Sequence, residues 1–258
     1  MKSILDDLDP QLREQFQDEL LCLADSKLVL GNWFAECVMN GRSLPDFAAM
    51  LGMCTASYGQ TRAIYQYLAS LDHSYAHLER GRGAADIASM NLLDAPPEDW
   101  ADFIVAVWLA EQAAWSLASG FLGNPERTIA GLARKIGEEA YFHFKYSLGW
   151  FRILAGEDED RAAVREALLR RFPLALQWFG PPDAPDPLHD AGLRKASVET
   201  LRAGFVDQVR EATSAFEVDL DEGVRPWPAG FRLRARRIGD LPPGLFEVIR
   251  FKDPELAR

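Results

Sequence analysis

KIGEEAYFHFKYSLGW, residues 135–150, sets an acidic pair and a histidine on what is otherwise an aromatic helix. Glu139 and His143 are i and i+4 there, so both side chains project from one face about a turn apart and can share one ion. Turned toward a core, such groups need a partner. An unpaired buried charge is expensive, so these groups are normally hydrogen-bonded, ion-paired or metal-bound. A solvated helix edge or a simple hydrogen-bonded pair is the plainer reading of the same spacing.

Working outward, Asn124 and Pro125 open this fourth helix and Gly156 closes it. The third helix, Pro97 to Phe121, holds the most apolar stretch of the chain, yet Glu111 and Gln112 sit at its middle, where a charge in lipid is costly. It reads as the central helix of a bundle rather than a membrane span. Upstream, apolar positions at helical spacing run from Asp9-Pro10 to about Met39, and Asn40-Gly41 offers a left-handed stop. Ser43 and Pro45 then start a second helix that reaches Leu71, with a core stripe expected at Phe47, Leu51, Cys54, Tyr58, Ile64 and Tyr65.

Between Asp72 and Pro97 the pattern weakens around Gly81 and Gly83, as a crossover in an antiparallel bundle requires. The acidic cluster Glu157 to Asp160 suits the N-terminus of a fifth helix ending near Phe179-Gly180. Prolines 181, 182, 185 and 187 then forbid regular structure, and a sixth helix spans about Ser197 to Phe216. Nothing reads as a sheet. The expected fold is all-α: a helical bundle over residues 1–217, then a Pro/Gly-rich tail, 218–258, with Pro226, Pro228, Pro242 and Pro243, laid on the bundle or on a partner.

Composition excludes several functions. A formal net charge of -11 argues against a nucleic-acid partner or an anionic membrane surface. The basic run Arg232 to Arg237, RLRARR, is the local exception and reads as a surface stripe or a contact between subunits. Cys22, Cys37 and Cys54 form no CxxC and read as reduced thiols. The acidic N-terminus MKSILDDLDP has no signal-peptide pattern, so a cytoplasmic location is expected.

Single carboxylates on long apolar helices match a bundle that holds two metals with one Glu from each of two helices and a Glu-x-x-His from each of the others. The candidates are Glu36 on the first helix, Glu111 on the third, and Glu139 and His143 on the fourth. Exposure of Glu36 near a helix end and a hydrogen-bonded role for Glu111 are the plainer alternatives. The second helix argues against a complete site: where its own Glu and His belong, CTASYGQTRAIY presents Ser57 and Gln60, which are poor ligands without charge. His73 and His77 are i, i+4 on a short segment and read as a solvated face, and His189 lies in the Pro-rich loop. No GxSxG, phosphate loop, HExxH or CxxC pair is present.

Four segments, LADSKLVLGNWFAEC (23–37), YGQTRAIYQYLASL (58–71), DWADFIVAVWLAEQ (99–112) and EEAYFHFKYSLGWFRILAGEDED (138–160), resemble the phenylacetic acid catabolic family, the ferritin-like subunits of the multicomponent phenylacetyl-CoA monooxygenase (epoxidase). The resemblance spans roughly Leu20 to Phe179 and fades in the last third. It implies a ferritin-like bundle and one of two related subunits: a catalytic one binding di-iron and acyl-CoA, or a structural partner that has lost the metal. Gly59-Gln60 in place of a Gly-His pair makes this chain look like the structural partner. Ala56 stands where that partner usually carries an acid, and the i, i+4 spacing of Glu139 and His143 departs from Glu-x-x-His. The expectation is therefore an accessory subunit with no cofactor of its own, bound to a related catalytic di-iron bundle subunit, with a homodimer as a further association. The alternatives are a divergent iron or manganese oxygenase using Glu36, Glu111, Glu139 and His143, and an unrelated helical scaffold.

Overall fold

The computed structural model describes residues 8–71, 73–214, 216, 218, 220 and 228–249. The acidic N-terminus before Leu8, Asp72, Glu217, Pro226 and the last nine residues lie outside the described residues. Four long helices form the bundle: α1 (Pro10–Cys37), α2 (Leu44–Ala69), α3 (Trp100–Ser119) and α4 (Arg127–Gly156). α5 (Asp158–Gln177) packs on α3 and α4, and α7 (Val198–Thr213) packs on α3, so α3 is enclosed on most sides. The short helices α6 (Pro187–Asp190) and α8 (Pro243–Ile249) both touch α1. Enclosure explains the composition of α3, whose residues from Ala101 to Ala114 are all buried. No helix among the described residues is long and apolar enough to cross a membrane.

Side-chain caps set most helix starts. Asp9 accepts from the Gln11 amide at 2.9 Å, Ser43 from Asp46 at 3.2 Å and Asp99 from Asp102 at 2.8 Å. At α4 the cap is Glu126, two residues later than expected. Asn124 is spent otherwise: its Oδ1 accepts from the Glu126 amide at 2.8 Å and its Nδ2 donates to the Leu193 carbonyl at 2.6 Å. α1 stops in a 3-10 turn, Val38–Asn40, and Gly41 has φ -56°, not the left-handed stop expected. Gly41 is needed for space, since a Cβ there would lie 2.8 Å from the Met50 side chain.

The expected stripe of α2 holds at Cys54, Ile64 and Tyr65, with Tyr58 half-buried, and fails at its start. Tyr58 packs on Gly31, the Thr61 hydroxyl donates to the Ala24 carbonyl at 3.0 Å, and Tyr65 reaches Asp25, which together fix the face turned to α1. Met50, Met53, Cys54, Ser57, Gln60 and Ile64 are consequently buried, while Phe47 and Leu51 are exposed.

The crossover between α2 and α3 is fastened by Asp25 of α1. Arg82 donates to its two oxygens at 2.8 and 2.7 Å, Tyr65 at 2.5 Å and the Ala88 amide at 2.8 Å. In the same segment His73 meets Gln17 at 3.2 Å, away from His77.

A two-stranded antiparallel hairpin, β1 (Phe231–Arg232) and β2 (Arg237–Ile238), stands where no strand was expected. It carries the basic run, which is a surface stripe only in part: Arg234 is exposed, whereas Arg236 and Arg237 are buried. Arg236 donates to Glu19 at 2.5 Å and to the Trp178 carbonyl at 2.9 Å, and the fully buried Arg237 binds Ser89 and Asp94. These arginines pin the C-terminal region to α1 and to the crossover, their charge neutralised by acids more than 140 positions away in sequence.

Candidate functional site

The polar centre of the bundle is Glu111 on α3, 1 % exposed. Its Oε2 is ion-paired with the Lys27 ammonium from α1, and its Oε1 lies 2.8 Å from His143 Nδ1 on α4. Lys27 is 0 % exposed and His143 3 %. Burial pushes the Glu111 carboxyl upward, but the Lys27 ammonium and then His143 outweigh it and hold the group at about 2. The Phe34 ring meets His143 edge-on, with centroids 6.1 Å apart, and closes the site toward the end of α1.

Of the residues expected from sequence, Glu111 and His143 are brought together and the other two are not. Glu139 points to the α2 side, where its Oε2 accepts from Gln60 Nε2 at 2.7 Å and its Oε1 meets Lys135 at 2.7 Å. Glu139 and His143 therefore face different neighbours. Glu36 is exposed near the end of α1 and joins neither cluster. Ser57 and Gln60 are buried on α2, and Ser57 Oγ and Gln60 Oε1 have no partner among the described residues.

Lys27 was not expected. The signal was available: Leu20, Leu23, Lys27, Leu30 and Phe34 are spaced 3, 4, 3 and 4 residues apart, so Lys27 stands in the core register of α1. A lysine there must pair with an acid, and Glu111 is that acid.

This donor set does not fit a bound metal pair. Both oxygens of the inner carboxylate are occupied, one by an ammonium that brings its own positive charge, and at the middle of α2 Ser57 and Gln60 supply neither an acid nor an imidazole. Among the described residues no three His, Cys, Asp or Glu side chains stand close enough to hold a metal ion. Among the described residues, a cavity of about 260 Å³ lies beside Phe179, Leu188 and Arg194 and another of about 820 Å³ between Trp108, Phe151 and Phe216, and these two are not lined by Lys27, Glu111 or His143. The arrangement can hold charge and fix helices.

Comparison with known proteins gives two findings. The family model described as phenylacetic acid catabolic protein matches residues 5–226. One component of the 1,2-phenylacetyl-CoA epoxidase of Escherichia coli (strain K12) is 22% identical over 192 residues, covering 73% of this chain and 77% of that protein.

Proposed function

The chain belongs to the phenylacetic acid catabolic protein family, and on that premise we propose that it is the accessory, non-catalytic bundle subunit of a multicomponent phenylacetyl-CoA epoxidase. It binds a related di-iron subunit that performs the oxygenation and carries no metal itself. The observation that supports this reading is the ion pair of Lys27 with Glu111. One ammonium balances one carboxylate, so the centre is already neutral, and adding divalent ions would require displacing a fully buried cation and leaving it unpaired. Ser57 and Gln60 add no compensating charge. The role left to such a bundle is to stay rigid and to present its surface to the subunit that holds the iron.

Metal analysis tests this directly. Protein purified from an iron-replete host, and again after incubation with Fe(II) or Mn(II) and desalting, is expected to hold far less than one metal per chain, with His143→Ala changing nothing. Two tightly held irons per chain that are lost on His143→Ala overturn the reading. Recovery of the chain with a second epoxidase bundle subunit from cells growing on phenylacetate is the matching positive result.

A further inference from the structure

α2 runs from Phe47 to Thr61 without one charged side chain, yet one side of it is open to solvent. Leu44, Ala48, Leu51, Gly52, Thr55 and Gly59 are exposed at helical spacing along that side. Leu44 is 79 % exposed, and a Cβ added at Gly52 or Gly59 meets nothing within 4 Å. Glycine weakens a helix interior relative to alanine, so two glycines with free space around them serve no purpose inside this chain. They permit another backbone to approach.

The open side continues onto α4. Gln60 bonds Glu139, and Trp150 Nε1 donates to Asp46 at 2.7 Å, so Glu139 and Trp150 mark the seam between the two helices. Phe142 and Ile153 each lie three residues beyond these, on the solvent side of the seam, and both are exposed, Phe142 by 69 %. Tyr141 beside Phe142 is exposed as well. Large apolar side chains gathered on one face mark an interaction surface rather than chance. Two helices about 20 Å across and about 35 Å long give roughly 700 Å², close to one side of a standard protein interface.

Charge selects the occupant. Along this face exposed Arg42, over the Trp150 ring, stands at one end and exposed Arg62 at the other, with Lys135 beside Glu139 on α4, in a chain whose net charge is -11. Two copies meeting by this face would set basic residues against basic residues. Resting on the subunit reading above, we infer that the outer side of α2 and the adjoining edge of α4 dock the second bundle subunit of the epoxidase through an apolar helical face with acidic edges.

The test uses the bundle subunit recovered with the wild-type chain, identified by mass spectrometry, purified and titrated by calorimetry. The double variant Gly52→Gln/Gly59→Gln adds bulk without charge and is expected to weaken Kd roughly a hundredfold while melting no lower than wild type. Gly204→Gln on α7, where a Cβ also meets nothing, is expected to bind as wild type does. Arg62→Glu and raised salt are each expected to weaken binding. Wild-type affinity in the glycine double variant overturns the surface and leaves the subunit reading standing. A wild-type homodimer dispersed by that variant overturns the choice of partner. Failure of the wild-type chain to bind any epoxidase subunit overturns the subunit reading and this inference with it.

Discussion

Asp25 and Glu111 are both buried carboxylates of bundle helices, but their surroundings differ in kind. Asp25 accepts from Arg82, Tyr65 and the Ala88 amide, groups drawn from α2 and the crossover. Glu111 has Lys27 and His143, both from helices that pack beside it in the bundle. Asp25 and Lys27 are two residues apart on α1, about 200° around the helix, so one helix serves both clusters from opposite sides. The first cluster holds a connection in place, and the second only balances charge at the bundle's centre. A charge pair of the second kind is the one an apolar substitute can replace.

The largest expected effect is therefore at the first cluster. Arg82→Leu strands Asp25 without its guanidinium and is expected to cost about 4 kcal/mol by urea denaturation. The double variant Arg82→Leu/Asp25→Asn is expected to remain well below wild type, because the Arg82 contacts to the Leu78 and Asp86 carbonyls are lost as well. Full recovery in that double variant erases the distinction between the clusters.

The Glu111 cluster is expected to respond less and to recover. Lys27→Met is expected to cost about 3 kcal/mol, and Lys27→Met/Glu111→Gln to return to within about 1 kcal/mol of wild type. The pH dependence sharpens this. Glu111 is held at about 2 against an ordinary 4.5, so its contribution is complete above about 4.5 and is lost as pH falls through about 2. In Lys27→Met that depression shrinks and the acid limb of the stability curve moves to higher pH. An acid limb unchanged between wild type and Lys27→Met means that the ammonium does not set the carboxylate's charge.

What sequence reveals divides along the same line. Helix starts at Pro10, Leu44 and Val198 are legible because Asp9, Ser43 and Ser197 cap them within three residues. Glu111 and His143 stand out as polar residues on apolar helices, and Ser57 and Gln60 as neutral groups where acid and imidazole were sought. The Asp25–Arg82 pair spans 57 positions and the Arg236–Glu19 pair 217, and no local pattern announces either. The outward turn of Phe47 and Leu51 at the start of α2 is illegible for a related reason. With so few charges on the helix, neither side reads as the wet one, and contacts with Gly31, Ala24 and Asp25 decide it. Lys27 was legible in register but hidden by its neighbours Leu28 and Leu30, which suggest an unbroken apolar stripe.

The smallest effect compares a serine next to Asp25 on α1 with one buried on α2. Ser26 Oγ donates to the Cys22 carbonyl at 2.8 Å and accepts from the Met90 amide at 3.1 Å, so Ser26→Ala orphans a buried amide of the crossover and is expected to cost roughly 1–2 kcal/mol. Ser57 Oγ is buried with no partner among the described residues, so Ser57→Ala removes a desolvated hydroxyl and is expected to range from neutral to about 1 kcal/mol stabilising. Thermal melts of the two variants read the difference as opposite signs. If Ser57→Ala destabilises as much as Ser26→Ala, then the hydroxyl has a partner such as an ordered water, and the buried side of α2 holds a hydrated pocket. That result would also give Gln60 Oε1 its missing donor, because the two groups stand three residues apart on one side of α2.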